Sequence, residues 1–313
     1  MRRWLEYLDI RNTTLTRYRG LTEKYILPFL GKIPLDKLEP DDVRAMLKHY
    51  AAPKGVDVKC HKVGLGPQSL HHLRAVLRTA LNQAIKDGKL TRNPAALADP
   101  PKVAHKEMQA FDPQQARMFM ASIVGHPMEA LFKVALATGM RKGEVLGLRW
   151  QDVDLDMGTL RVVKTLQRKG GGKYELGEPK TKLSGRTVPL SGMAVETLRA
   201  YKAQQAKAEL AAKHWDNEWK LVFTTGHGWP LEPSFVTQKF QQACAAAGLP
   251  AIRFHDLRHS FVSLLGDHGV DVAVVSKMIG HSSVTLTLNT YRHVFDKAQR
   301  EAANAIDRVL AAE

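Results

Sequence analysis

The sequence predicts a mainly α-helical chain with a small antiparallel β-sheet, divided into a helical N-terminal domain and an α+β C-terminal domain. Three observations predict this. Apolar residues recur at three- and four-residue steps through most of the chain, a stretch with Pro94, Pro100 and Pro101 interrupts the pattern, and the β-branched segments are short and confined to the second part. A length of 313 residues accommodates two domains of roughly 150 residues each. The expected boundaries are 1–95 for the helical domain, 96–110 for a linker and 111–313 for the second domain, including a C-terminal helix.

In the first domain, a helix is expected over Thr14 to Tyr25, closed by Pro28. A second runs from Pro40 to Ala51, with Asp41 and Asp42 in its first turn and Pro53 beyond it. The strongest pattern lies between Pro67 and Lys86, where Leu70, Leu73, Leu77, Leu81 and Ile85 form one stripe and Gly88 is placed to stop the helix. His71, Arg74 and Arg78 share another face, which reads either as a solvated surface or as a set of phosphate contacts.

After the linker, Asp112-Pro113 starts a helix and Thr138-Gly139 ends a second. A short helix covers Arg141 to Gly147. Thr159 to Leu166 and Arg186 to Leu190 are rich in β-formers, with Gly170-Gly171-Gly172 as a turn, and together imply one antiparallel sheet. Leu221 to Phe223 is a further β-like piece. The remainder reads as helices starting at Ser191, Pro233 and Asp271, with stops at Gly248, Gly269 and Gly280.

Composition narrows the function. Lys and Arg number 46 against 31 Asp and Glu, a net charge of +15, which favours a polyanionic partner, most often nucleic acid. Thr159 to Leu190 alone holds eight basic residues and two acidic ones, so the excess of the second domain gathers on the sheet and its turns. No run approaches the roughly 18 apolar residues of a membrane span, and the opening MRRWLEYLDI breaks its apolar residues with charge. A soluble, cytoplasmic protein without membrane association is expected. Cys60 and Cys244 lie in different halves, which argues against a disulfide framework and against a four-cysteine zinc site.

Titratable residues cluster near the C-terminus in RFHDLRHSF, IGHSS and TYRHV. Singly, His255, His259 and Tyr291 read as ordinary core or packing residues. His255 and His259 stand four apart and would face one metal ion on a helix, but no glutamate completes an HExxH pattern, so neither metal nor cofactor is expected. Arg141 is more telling, since it directly follows a helix-ending Thr-Gly pair and precedes an amphipathic stretch.

Taken in order, TGMRKGEVLGLRWQDVD, PKTKLSGRTVPL, HDLRHSF, IGHSS and Tyr291 resemble the tyrosine recombinase, or phage integrase, family. The resemblance covers nearly all of residues 108–295. YILPFLGKIPLDKL and NQAIKDGKLTRNP resemble, more loosely, the family's core-binding domain. The resemblance implies an N-terminal core-binding domain, a catalytic domain, and site-specific integration or excision of a phage or other mobile element through a covalent 3′-phosphotyrosine. It implies six catalytic residues: Arg141, Lys180, His255, Arg258, His281 and Tyr291. Glu144 matches a supporting acidic position, and a short shift of alignment would exchange Lys180 for Lys182. Lys182 and Arg186 join His71, Arg74 and Arg78 as expected DNA contacts. The implied partners are double-stranded DNA with specific core sites, a homo-oligomer, expected to be a tetramer on paired sites, and accessory DNA-bending proteins. No room is evident for an arm-binding domain ahead of the core-binding helices. The competing expectations are a type IB topoisomerase-like enzyme and a non-catalytic DNA-binding regulator.

The residue types suit that chemistry. Attack on a phosphodiester concentrates negative charge on the non-bridging oxygens, and two forked, permanently cationic guanidinium groups stabilise it without a metal. A phenol with a reference pKa of about 10 needs cationic surroundings or a base, here expected to be His255. The departing 5′ oxygen needs a proton, expected from Lys180, with His281 hydrogen-bonded to the phosphate or assisting the leaving group.

Overall fold

The computed structural model describes residues 1–51, 53, 64–103, 109–169, 172–178, 185–281, 283–288 and 291. The chain forms two compact units, Met1–Lys106 and Glu107–Glu313.

The first unit is helical. It contains α1 (Arg2–Glu6), α2 (Asn12–Leu21), α3 (Leu27–Leu30), α4 (Pro40–Tyr50) and α5 (Pro67–Lys86). Pro28 does not close the second helix as the sequence suggests. A π-helical turn, Thr22–Ile26, joins α2 to α3, and the helical path continues through the proline to Leu30. The wider turn accommodates a residue that lacks an N–H and whose ring crowds the preceding turn. Thr22, Ile26 and Leu30, four residues apart, are the buried positions along this stretch. Asp42 and Glu39 form a capping box at the start of α4, and Arg92 grips Glu39 through both carboxylate oxygens.

The core of this unit joins Val43, Met46 and Leu47 of α4 to Leu70, Leu73 and Leu77 of α5. Ala95 and Ala98 belong to it too, and the Asn93 amide donates to the Arg78 carbonyl and to Asn82. The segment read as linker therefore begins inside this core, because its small residues fill space beneath α5. Residues 104–108 lie outside the described residues.

The second unit begins with α6 (Pro113–Ser122), capped by Asp112, and α7 (Glu129–Thr138), which ends at Gly139. The short α8 (Lys142–Leu146) follows. The expected single sheet is two. Strands β1 (Val153–Asp154), β2 (Thr159–Val162) and β5 (Arg186–Pro189) form one antiparallel sheet in the order β1-β2-β5, with Leu160 opposite Val188. Strands β3 (Thr165–Arg168) and β4 (Tyr174–Gly177) form a separate hairpin. The chain leaves the first sheet after Val162 and lays β3 against α8. A Cβ on Gly147 would stand 2.7 Å from the Leu166 nitrogen, so this approach requires glycine. Leu221 to Phe223 makes only an isolated bridge with Arg149 and forms no strand.

Helices α9 (Gly192–Ala211), α10 (Pro233–Ala246), α11 (Asp256–Asp267) and α12 (Val272–Ile279) complete the described part, and residues 284–288 are also helical. The main core unites Phe119, Phe132, Phe240 and Phe254 with Leu160 and Val188 of the sheet. A smaller cluster joins Phe261 and Val262 of α11 to Val275 and Ile279 of α12 and to Tyr291. The helix expected after Tyr291 lies outside the described residues. No described helix is long and apolar enough to cross a membrane.

Candidate active site

The site is assembled from the turn between α7 and α8, helix α8, strand β5, helix α11, the turn after α12 and Tyr291 of the second unit. Arg141 stands at the N-terminal cap of α8, directly beyond the turn that ends α7. Its backbone N–H and its guanidinium both donate to Glu144, at 2.9 and 2.7 Å. A weaker contact, 3.5 Å, runs from its Nη2 to the Gly280 carbonyl.

Glu144 is 2% exposed and holds a second arginine, Arg186 of β5, at 3.0 Å. Burial alone would raise its carboxyl. The charge of Arg186 and the hydrogen bonds from Arg186 and Arg141 outweigh that and keep it below the ordinary carboxylate range. From the sequence, Arg186 is an expected DNA contact. Its side chain is instead 5% exposed and also donates to the Met278 carbonyl at 2.6 Å, tying β5 to the end of α12. A buried carboxylate draws it inward, and the alternating pattern of the strand did not reveal that partner.

Arg258 lies on α11 and is 2% exposed. Its Nη1 donates to the Gly139 carbonyl at 3.0 Å, while its Nη2 is buried without a hydrogen-bond partner among the described residues. Burial and then repulsion from Arg141 pull its value down to about 9, which leaves it charged at neutral pH. An arginine held this way has desolvated N–H groups ready for an anion.

His281 follows Gly280 at the end of α12. Its Nδ1 is hydrogen-bonded to Thr287 at 2.8 Å. Burial, and then the charges of Arg258 and Arg141, push its pKa down to about 4, so the ring is neutral at physiological pH. Tyr291 is 1% exposed, and its phenol is pushed up to about 12, mainly by burial. Its ring packs in the α11 and α12 cluster, and its hydroxyl is hydrogen-bonded to Nδ1 of His259.

His259, rather than His255, is thus the histidine at the phenol. His255 sits at the N-terminal end of α11, open to solvent, with its ring edge-on to His259 at 5.4 Å between centroids. Asp256, one turn ahead of His259, is gripped by Arg253 through its backbone N–H at 2.6 Å and its Nη2 at 2.7 Å. The sequence did carry a signal for this group, since Asp256 and His259 are three apart and share a helix face. Among the described residues, no group of three or more His, Cys, Asp or Glu side chains is placed to hold a metal ion.

Five expected residues, Arg141, Glu144, Arg258, His281 and Tyr291, meet at this site, and His255 lies at its edge. Lys180 and Lys182 lie outside the described residues. His71, Arg74 and Arg78 belong to the first unit. There Arg74 turns inward to the Ala96 carbonyl at 2.9 Å and His71 bonds the Pro101 carbonyl, whereas Arg78 is exposed.

Residues 109–298 match the model of the phage integrase family, and residues 1–50 match that of the family's N-terminal SAM-like domain. A XerC-like tyrosine recombinase of Caldanaerobacter subterraneus is 31% identical over 266 residues, covering 80% of this chain and 68% of the relative. The fold is shared with the Tn1549 transposon integrase solved with transposon right-end DNA, at a TM-score of 0.79, 21% identity and 96% of each chain covered. It is also shared with a lambda integrase tetramer bound to a Holliday junction, at a TM-score of 0.63 and 20% identity, covering 92% of this chain and 74% of that one.

Proposed function

Because the chain belongs to the phage integrase family of tyrosine recombinases, enzymes that break and rejoin DNA at specific sites, we propose that it integrates or excises a mobile element and that the site described above is its catalytic centre. Tyr291 is the nucleophile. Its oxygen attacks the scissile phosphorus to give a 3′-phosphotyrosine, and the 5′-hydroxyl so released is replaced by one from a second duplex. The bond energy stays in the phosphotyrosine, so resealing needs no separate energy source.

Arg141 and Arg258 clamp the non-bridging oxygens as charge accumulates there. Glu144 holds Arg141 in place. His281, neutral and anchored by Thr287, donates to the phosphate, and His255 completes the edge of the site. Lys180, with Lys182 as the neighbouring candidate, protonates the departing 5′ oxygen. The exposed Arg78 contacts the DNA backbone, and the protein works as a tetramer on paired core sites, helped by DNA-bending proteins. The lambda integrase tetramer on a Holliday junction supports that assembly.

The observation that carries this reading is Arg258. A guanidinium buried beside a second one, with Nη2 lacking a hydrogen-bond partner among the described residues, presents a desolvated donor that an anion would satisfy. A nicked duplex that loses its 5′ fragment on cleavage tests the reading. The native protein is expected to become covalently trapped on it, and Tyr291→Phe to bind without adduct. Adduct formation by Tyr291→Phe would remove Tyr291 as nucleophile. Relaxation of supercoils without exchange between two sites would point to a topoisomerase, and binding without adduct by the native protein to a regulator.

A further inference from the structure

The hydroxyl of Tyr291 meets a side chain to which the resemblance assigns no role. His259 Nδ1 is hydrogen-bonded to it, with the two rings 5.5 Å apart. On the opposite edge of the imidazole, Nε2 stands 4.0 Å from Oδ1 of Asp256, whose carboxylate is fixed by Arg253. We infer that His259, backed by Asp256, accepts the Tyr291 proton during strand cleavage and returns it during ligation. The inference rests on Tyr291 being the nucleophile.

The tautomer follows from the charges on either side of the ring. A proton on Nε2 faces the Asp256 carboxylate favourably and leaves Nδ1 with a lone pair for the phenol O–H. The reverse tautomer would turn the Nε2 lone pair toward the carboxylate and set Nδ1–H against the phenol. In the resting site the proton stays on oxygen, because burial holds the phenol near 12 and, together with the neighbouring His255, the imidazole near 4. As the Tyr291 oxygen bonds to phosphorus, the O–H becomes a strong acid and its proton passes to Nδ1. The bond between phosphorus and the 5′ oxygen breaks, and that oxygen takes a proton from a separate acid, for which Lys180 is the candidate. Asp256 then faces an imidazolium, which it stabilises. Asp256 is a positioning residue, whereas His259 touches the reacting oxygen.

Two measurements test this. Nitrogen NMR of the histidines in the native protein is expected to show His259 protonated on Nε2 alone, and a Nδ1–H tautomer would overturn the inference without requiring any variant to fold. In single-turnover cleavage, His259→Asn preserves a hydrogen-bond acceptor near the Nδ1 position but cannot take up the proton. It is expected to form adduct about 100-fold more slowly with unchanged DNA affinity. Replacing Tyr291 by 3,5-difluorotyrosine, a more acidic phenol, is expected to recover most of that loss in His259→Asn, which would not happen if the histidine only packed against the ring. Cleavage by His259→Asn at the native rate, or a slow rate unmoved by the fluorinated residue, would overturn the inference. Adduct formation by Tyr291→Phe would fault the nucleophile assignment instead.

Discussion

The Arg258 guanidinium is fixed by the carbonyl of Gly139, 3.0 Å away and 119 residues earlier in the chain. Gly139 adopts φ +60°, and a Cβ there would lie 2.6 Å from Cδ1 of Phe261. The turn that ends α7 therefore sets the place of Arg258, the arginine on α11 proposed to clamp the phosphate. Gly139→Ala is expected to cost about 1–3 kcal/mol through strain and overpacking. It should also slow cleavage more than it weakens DNA binding. Chemical denaturation and single-turnover assays check both, and unchanged cleavage would show that Arg258 keeps its place without that carbonyl.

On the proposed reading, Arg258→Ala removes a charge that acts most strongly as the phosphate gains negative charge. We expect a loss of about 3 kcal/mol in transition-state stabilisation, or roughly a hundredfold in the rate of adduct formation, with a few-fold change in affinity. An equal loss in affinity and rate would indicate a ground-state grip only.

Glu144→Gln leaves Arg141 and Arg186 without their shared anion. The buried amide retains some hydrogen bonding but no charge, so a stability loss of about 2 kcal/mol is expected, together with slower cleavage as Arg141 moves. Denaturant unfolding measures the first effect and single-turnover kinetics the second. A variant as stable and as active as the native protein would remove Glu144 from both roles.

Acid should loosen the fold through its histidines. His259 and His281 are held near 4, in each case by burial first and then by neighbouring charges, whereas the same rings in the unfolded chain titrate near 6.5. Between those values the unfolded state binds more protons, so stability is full above about pH 6.5 and falls as the pH drops toward 4. Each ring adds at most about 1.4 kcal/mol per pH unit, and less for the half-open His281. Denaturation midpoints from pH 7.5 to 5 are expected to fall less steeply in His259→Asn. Parallel curves would show that His259 does not titrate this way.

Much of this architecture was legible in the sequence because its signals are local. The Asp112-Pro113 start, the Gly139 stop and the stripe from Leu70 to Leu81 each state their element within a few residues. Three features depend on distant partners and were not legible. Pro28 reads as a terminator unless a π turn precedes it, the split between β2 and β3 depends on α8 docking through Gly147, and Arg186 looks like a surface residue until Glu144 is placed beneath it. The site residues were named through their order along the chain. The choice of His259 over His255 as the partner of the phenol was lost because both histidines lie in one short motif, and only the fold decides which ring faces Tyr291.

Arg141 and Arg186 both hold the buried carboxylate of Glu144, and the Arg258 guanidinium lies close enough to feel the charge of all three. Like charges this close repel one another, a bound phosphate would offset that repulsion, and whatever binds only the native form shifts the unfolding equilibrium in its favour. Molecules engaged on their target should resist proteases longer than idle ones, so the supply of sites would itself help to set how much of the protein a cell retains.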